Sequence, residues 1–216
     1  MFGLKASNFA QGIWLKAIGV VWCLLCCFAS ATAMAQTEED IAAVEGACQR
    51  GRLASCAWLG EVFHAGKGIA RDDAKALAYS VMACSGNIAS ACAHAGRLFR
   101  WGEENVRNLA RALASYELAC SEGNGEGCLQ AAFMLRDGEG AVSNPSASMV
   151  YGKEACIHGE ALGCALVASG YELGNGVDSD AKRAFEYYRK ACRLQLELGC
   201  EEERRLSGSV KGPGSK

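Results

Sequence analysis

Proline is nearly missing from this chain. Only Pro145 and Pro213 occur in 216 residues. β-Branched residues are few and alanine is abundant, so the composition suits helix and disfavours strand. Charge of one sign is also missing. The first 35 residues hold two of the 22 Lys and Arg and none of the 24 Asp and Glu, so the remainder carries 20 basic against 24 acidic residues, a net of −4. That mild acidity argues against nucleic acid as a partner. Beyond the N-terminal stretch there is no long apolar run, which excludes a membrane span in the remainder. There is no glycine-rich phosphate loop, and His64, His94 and His158 share no common spacing, so they read as surface or inter-helix residues rather than ligands.

Residues 1–35 have the pattern of a secretory signal peptide. Lys5 and Lys16 supply positive charge, Ala17 to Ala29 is apolar apart from Gly19, and Ala33-Met34-Ala35 is a small-x-small cleavage site. The apolar core, of about 13 residues, is shorter than the roughly 20 of a spanning helix. The expectation is therefore an exported protein, periplasmic or secreted, with no membrane span after cleavage.

What the chain has in excess is cysteine. Of thirteen, three (Cys23, Cys26, Cys27) lie in the N-terminal stretch; the other ten form pairs Cys48/Cys56, Cys84/Cys92, Cys120/Cys128, Cys156/Cys164 and Cys192/Cys200. The step within each pair is 8 and from pair to pair 36. A strict period of this size is the signature of a repeat array. Zinc sites favour C-x2-4-C, whereas these are spaced C-x7-C in an exported chain. Disulfides are expected, and no metal.

Each repeat reads as two helices. In the copy from Cys56 to Cys92, a first helix over about 54–65 stops at Gly66 and Gly68. A second starts at Asp72 and runs past Cys84 to a cap near Asn87. Gly66 recurs as Gly102, Gly138 and Gly174, and Gly68 as Gly140 and Gly176 with Glu104 as the exception. Asp72 recurs as Asn108, Asn144 and Asp180, all good N-caps, and Pro145 follows Asn144 at the favoured first helical position. Asn87 corresponds to Gly51, Gly123 and Gly159, with Gln195 departing from the pattern. Residues 8 apart on one unbroken helix lie about 12 Å apart along its axis. A disulfide needs Cα atoms within about 7 Å. The turn at Gly86-Asn87 therefore has to bring the paired cysteines side by side. Small residues at Gly60, Gly96, Ala132 and Ala168, and at Ala76, Ala112, Ser148 and Ala184, let the helices approach closely.

The expected architecture is all-α: a right-handed α-solenoid of disulfide-bridged helix-turn-helix repeats. A half repeat from Thr37 to Cys48, four full hairpins and a charged capping helix near 198–206 make up residues 36–206, and 207–216 form a disordered tail.

The run Leu-Gly-x-x-Phe-x-x-Gly-x-Gly, then Asp, Lys-Ala and Ala-Cys, resembles the Sel1-like repeat. The cysteine step of 8 resembles the Helicobacter cysteine-rich proteins, a secreted subgroup. The resemblance implies a TPR-like solenoid and a protein-binding adaptor. It also implies two alternatives: β-lactamase or penicillin-binding activity, described for cysteine-rich relatives, and a periplasmic immunity protein that neutralises a secreted toxin. The one enzyme-like motif, Ser179-Asp180-Ala181-Lys182, has the S-x-x-K form but lies where the repeat places its N-cap, and no S-D-N or K-T-G accompanies it. No catalytic residue and no cofactor are expected.

The remaining expectation is a surface. First helices line the concave side of such solenoids. The residues there that vary between repeats are Trp58, Glu61 and His64, then His94, Arg97 and Trp101, then Gln130 and Arg136. They are the expected contacts to a protein or peptide ligand, with Trp58 and Trp101 as anchors.

Overall fold

The computed structural model describes residues 40–66 and 68–210; for 208–210 only the backbone is described. The signal-peptide reading and Thr37 lie outside these residues. Ten helices and no strand occur among those described. Helix α1 covers 40–49. Then follow α2 (Leu53–Ala65), α3 (Asp73–Cys84), α4 (Ala89–Trp101), α5 (Leu109–Ser121), α6 (Gly125–Asp137), α7 (Pro145–Ile157), α8 (Ala161–Leu173), α9 (Ala181–Arg193) and α10 (Glu197–Val210). Each packs on its neighbours in the chain, which makes four hairpins (α2–α3, α4–α5, α6–α7, α8–α9) stacked in series between α1 and α10.

One set of local interactions builds every hairpin. The side chains of Asp72, Asn108, Asn144 and Asp180 each accept a hydrogen bond from the backbone N–H three residues on, which satisfies a donor the helix leaves free. Their own N–H groups donate back to Phe63, Phe99, Leu135 and Tyr171, at 2.7 to 2.9 Å, and close the turn. Between hairpins the chain turns through a left-handed residue: Gly51, Asn87, Gly123, Gly159 and also Gln195, at φ 65°. Gln195 departs from the pattern in residue type but not in conformation.

The turn after α4 is the irregular one. Gly66, Gly138 and Gly174 are left-handed, but Gly102 is extended, with φ −67° and ψ −175°. The cause is Glu104. Gly140 and Gly176, at the same repeat position, take φ near 80°, which a residue with a Cβ resists. The loop reroutes instead, and Val106 is buried against Gly102.

Five disulfides link the second helix of one unit to the first helix of the next: Cys48–Cys56, Cys84–Cys92, Cys120–Cys128, Cys156–Cys164 and Cys192–Cys200, with Cα separations of 4.5 to 4.9 Å. All ten cysteines are therefore staples at the joints between units. Each closes a short loop and is worth about 2–3 kcal/mol in the chain-entropy account.

The core repeats with the same period. Phe63, Phe99, Leu135 and Tyr171 are buried alike, as are Ala76, Ala112, Ser148 and Ala184 where the two helices of a hairpin cross. Gly60 is needed at the first crossing: a Cβ there would lie 2.3 Å from the Ser80 hydroxyl. At the C-terminal end, α10 runs on to Val210, so Ser207 to Val210 belong to a helix and not to a disordered tail. Leu206 is buried against Tyr171 and Tyr188 and anchors that last turn. Residues 211–216 lie outside the described region.

Candidate functional site

The repeat places four sets of polar residues at the joints along the first helices. Residues 36 apart occupy the same place. The His64 position is taken in turn by Arg100, Arg136 and Glu172, and the His94 position by Gln130, Leu166 and Glu202.

At the first joint these groups form a buried network. Asp73, fully buried, accepts from Arg71 Nε and Nη2, at 3.0 and 2.8 Å, and from the backbone N–H of Glu103 at 3.2 Å; His64 Nδ1 lies 2.9 Å away. The Arg71 hydrogen bonds hold the Asp73 carboxyl well below the usual carboxylate range against the opposing effect of burial. Ser80, also fully buried, donates to the Ala76 carbonyl at 2.7 Å and lies 2.8 Å from His94 Nδ1. Its one proton is committed to Ala76, so His94 is the donor in that pair. The His64 and His94 rings meet edge to face with centroids 5.3 Å apart. Burial first, then the positive charge of Arg97, pushes His94 down to about 4, so it is neutral at pH 7. With its proton so held and no exposure, Ser80 is not placed to act as a nucleophile.

The second joint is organised by Arg100, whose side chain is only 10% exposed. It forks onto Glu139 at 2.8 and 3.0 Å and donates to Gln130 at 2.8 Å. At the fourth joint Glu172 accepts from the Tyr188 hydroxyl at 3.0 Å and from Arg205. At the third, Arg136 pairs only with its chain neighbour Asp137 among the described residues.

The candidate contact residues thus separate into two groups. Trp58 and Trp101 are 45% and 56% exposed, and Glu61, Arg97 and Arg136 are exposed as well. Arg97 lies 3.8 Å from Glu126, and the Arg100 guanidinium sits 4.3 Å from the centre of the Trp101 ring. His94, expected to face outward, is instead 4% exposed, because Gly60 leaves room for Ser80 and Ser80 holds the imidazole. His64 and Gln130 are half-buried and bonded to Asp73 and Arg100. Sequence reasoning passed over Asp73, Ser80, Arg100, Glu139 and Glu172. The signal was present in part: Asp73 stands where other copies have Leu109, Pro145 and Ala181, Ser80 where another has Val44, and Arg100 and Glu172 share a position whose charge changes from copy to copy. Ser179 and Lys182 are both exposed, and Asp180 between them caps α9.

The Sel1 repeat family model matches residues 53–87, 89–124 and 161–196, which correspond to the first, second and fourth hairpins. Among solved structures the chain is similar to c5321, a protective antigen of uropathogenic Escherichia coli strains displaying an SLR fold. The TM-score is 0.75 at 20% identity, over 81% of this chain and 38% of that one. A Sel1 repeat protein from Oxalobacter formigenes gives a TM-score of 0.66 at 21% identity, over 80% and 49%. Helicobacter pylori cysteine rich protein B gives 0.49 at 25% identity, over 61% and 94%. The chain thus spans less than half the length of the first two, and that likeness shows the fold. No curated protein matches it.

Proposed function

We propose that this chain, a Sel1-repeat protein, is an exported scaffold that binds a protein or peptide partner along the face formed by its first helices. The observation that carries the reading is the division of labour within the repeat. Cysteines, Asx caps and small crossing residues hold the fold at fixed positions. The first helices also carry large side chains, Trp58, Arg97 and Trp101, that remain exposed. Exposed tryptophan and arginine are the usual anchors of interfaces. First helices touch one another at every step between hairpins (α2 with α4, α4 with α6, α6 with α8), and the second helices α5 and α7 touch as well. The five disulfides point to an oxidising compartment, periplasmic or extracellular. Among the described residues no helix is long and apolar enough to cross a membrane.

The test is in-cell crosslinking from the native organism, read by mass spectrometry. Wild type is run beside a variant carrying Trp58→Ala, Arg97→Ala and Trp101→Ala. One dominant partner that the variant loses supports the face; an unchanged set of partners rejects it.

A further inference from the structure

The joints supply their own controls for what each position does. Where Arg100 stands at the second joint, Glu139 arrives from the loop after α6 and takes its guanidinium with two hydrogen bonds, while Gln130 takes a third. At the third joint the same positions are Arg136, Asn175 and Leu166. The carboxylate has become an amide and the second acceptor a hydrocarbon. The position of Asp73 has become Pro145. Three positions that supply partners elsewhere have lost their charge or polarity together, while the cation remains.

A cavity lies at that place. It has a volume of about 60 Å³ and is lined by Arg136, Pro145, Leu166, Ser169 and Asn175 among others. That volume takes about two waters or one carboxylate group. Arg136 is held ready beside it. Its guanidinium lies 4.9 Å from the centre of the Phe133 ring. Asp137 occupies Nε at 2.7 Å and Nη2 at 3.0 Å. Nη1 donates to no residue among those described. The Asp137 pair joins two chain neighbours that are each more than two-fifths exposed. Such a pair is weak and exchangeable.

We infer that this cavity receives a carboxylate of the bound partner, from an Asp or Glu side chain or a peptide C-terminus, as the counterpart of what Glu139 does for Arg100 within the chain. The inference rests on the scaffold reading and specifies one contact of that face. Arg136 supplies the charge-assisted hydrogen bonds, and Asn175 and Ser169 offer uncharged donors around them.

The test selects a random heptapeptide library, in free-acid and in C-terminally amidated form, on the immobilised oxidised protein. The expected result is enrichment of an acidic anchor. If both forms yield Asp or Glu at a fixed position, a side chain fills the cavity; if only the free acid binds, the C-terminus does. The best peptide should lose about tenfold or more in affinity with Arg136→Gln, as for a lost hydrogen bond to a charged group. It should lose as much with Asn175→Glu, which places a carboxylate in the cavity from within. Lys182→Gln, exposed on α9 and outside that face, should leave both binding and the acid preference intact. Enriched peptides without an acidic anchor, an anchor that survives both variants, or no enrichment at all would overturn the inference. Partner capture that depends on Trp58 and Trp101 but not on Arg136 or Asn175 would overturn it too, and leave the scaffold reading standing.

Discussion

At the first joint of the solenoid a buried carboxylate, a buried and a half-buried histidine and a buried serine share hydrogen bonds. At the third, those positions hold Pro145, Arg136, Leu166 and Gly152, with Asn175 beside the arginine and a small cavity between them. The helices, caps and disulfide that frame the two are alike. The framework therefore does not dictate what fills a joint. One joint spends its polar groups on itself, and the other leaves a cation facing space. In an array whose units touch only their neighbours, such differences cost little to the rest of the chain.

The largest expected contrast is at position 73 of the repeat. Asp73→Ala leaves three donors around a buried gap, and should lower stability by about 2–4 kcal/mol in urea unfolding. Pro145→Ala, at the equivalent place, should cost no more than about 1 kcal/mol. Equal losses would mean that the first-joint network contributes nothing of its own.

The staples should instead be uniform. Replacing both cysteines of a pair by alanine, at Cys84/Cys92 or at Cys156/Cys164, should cost about 2–3 kcal/mol in either case. A clear difference between the two would show that joint contents and staple are coupled.

The first joint alone should respond to mild acid. His94 is held to about 4, below its ordinary 6.5, so the unfolded chain binds its proton first. Stability from this group is complete above pH 6.5 and is lost as pH falls from 6.5 toward 4. Around it stand Arg97, His64 and Asp73; the first two oppose its protonation and the third favours it. His94→Gln, the residue of the second joint, should flatten that part of the curve. An unchanged slope would place the titrating group elsewhere.

The smallest contrast is between two tyrosines 72 residues apart. The Tyr116 hydroxyl is buried with no hydrogen-bond partner among the described residues, whereas that of Tyr188 donates to Glu172. Tyr116→Phe should be neutral or stabilising, by up to about 1 kcal/mol, and Tyr188→Phe destabilising by about 1 kcal/mol. Thermal unfolding of the two variants reads the difference, and a loss in both would contradict it.

Much of the framework was legible because it recurs. Asp72 and its three counterparts announce helix starts, and the cysteine step of 8 announces a turn between bonded partners. What was not legible depends on which side chains meet across a joint. His64 and His94 share no repeat position, so spacing alone kept them apart, yet the hairpin brings their rings into contact. His94 looks outward on a helical wheel, and only the space left by Gly60 and the hydroxyl of Ser80 turn it into core. The loop after α4 shows the same limit. Gly102 suggested one more left-handed stop, and the Glu104 that prevents it lies two residues on.

Hydrogen exchange of the oxidised protein, alone and with the partner recovered by crosslinking, tests the central claim most directly. The account predicts new protection on α2, α4, α6 and α8, around Trp58, Trp101 and Arg136, with α3, α5, α7 and α9 unchanged. Protection confined to the second helices would contradict it.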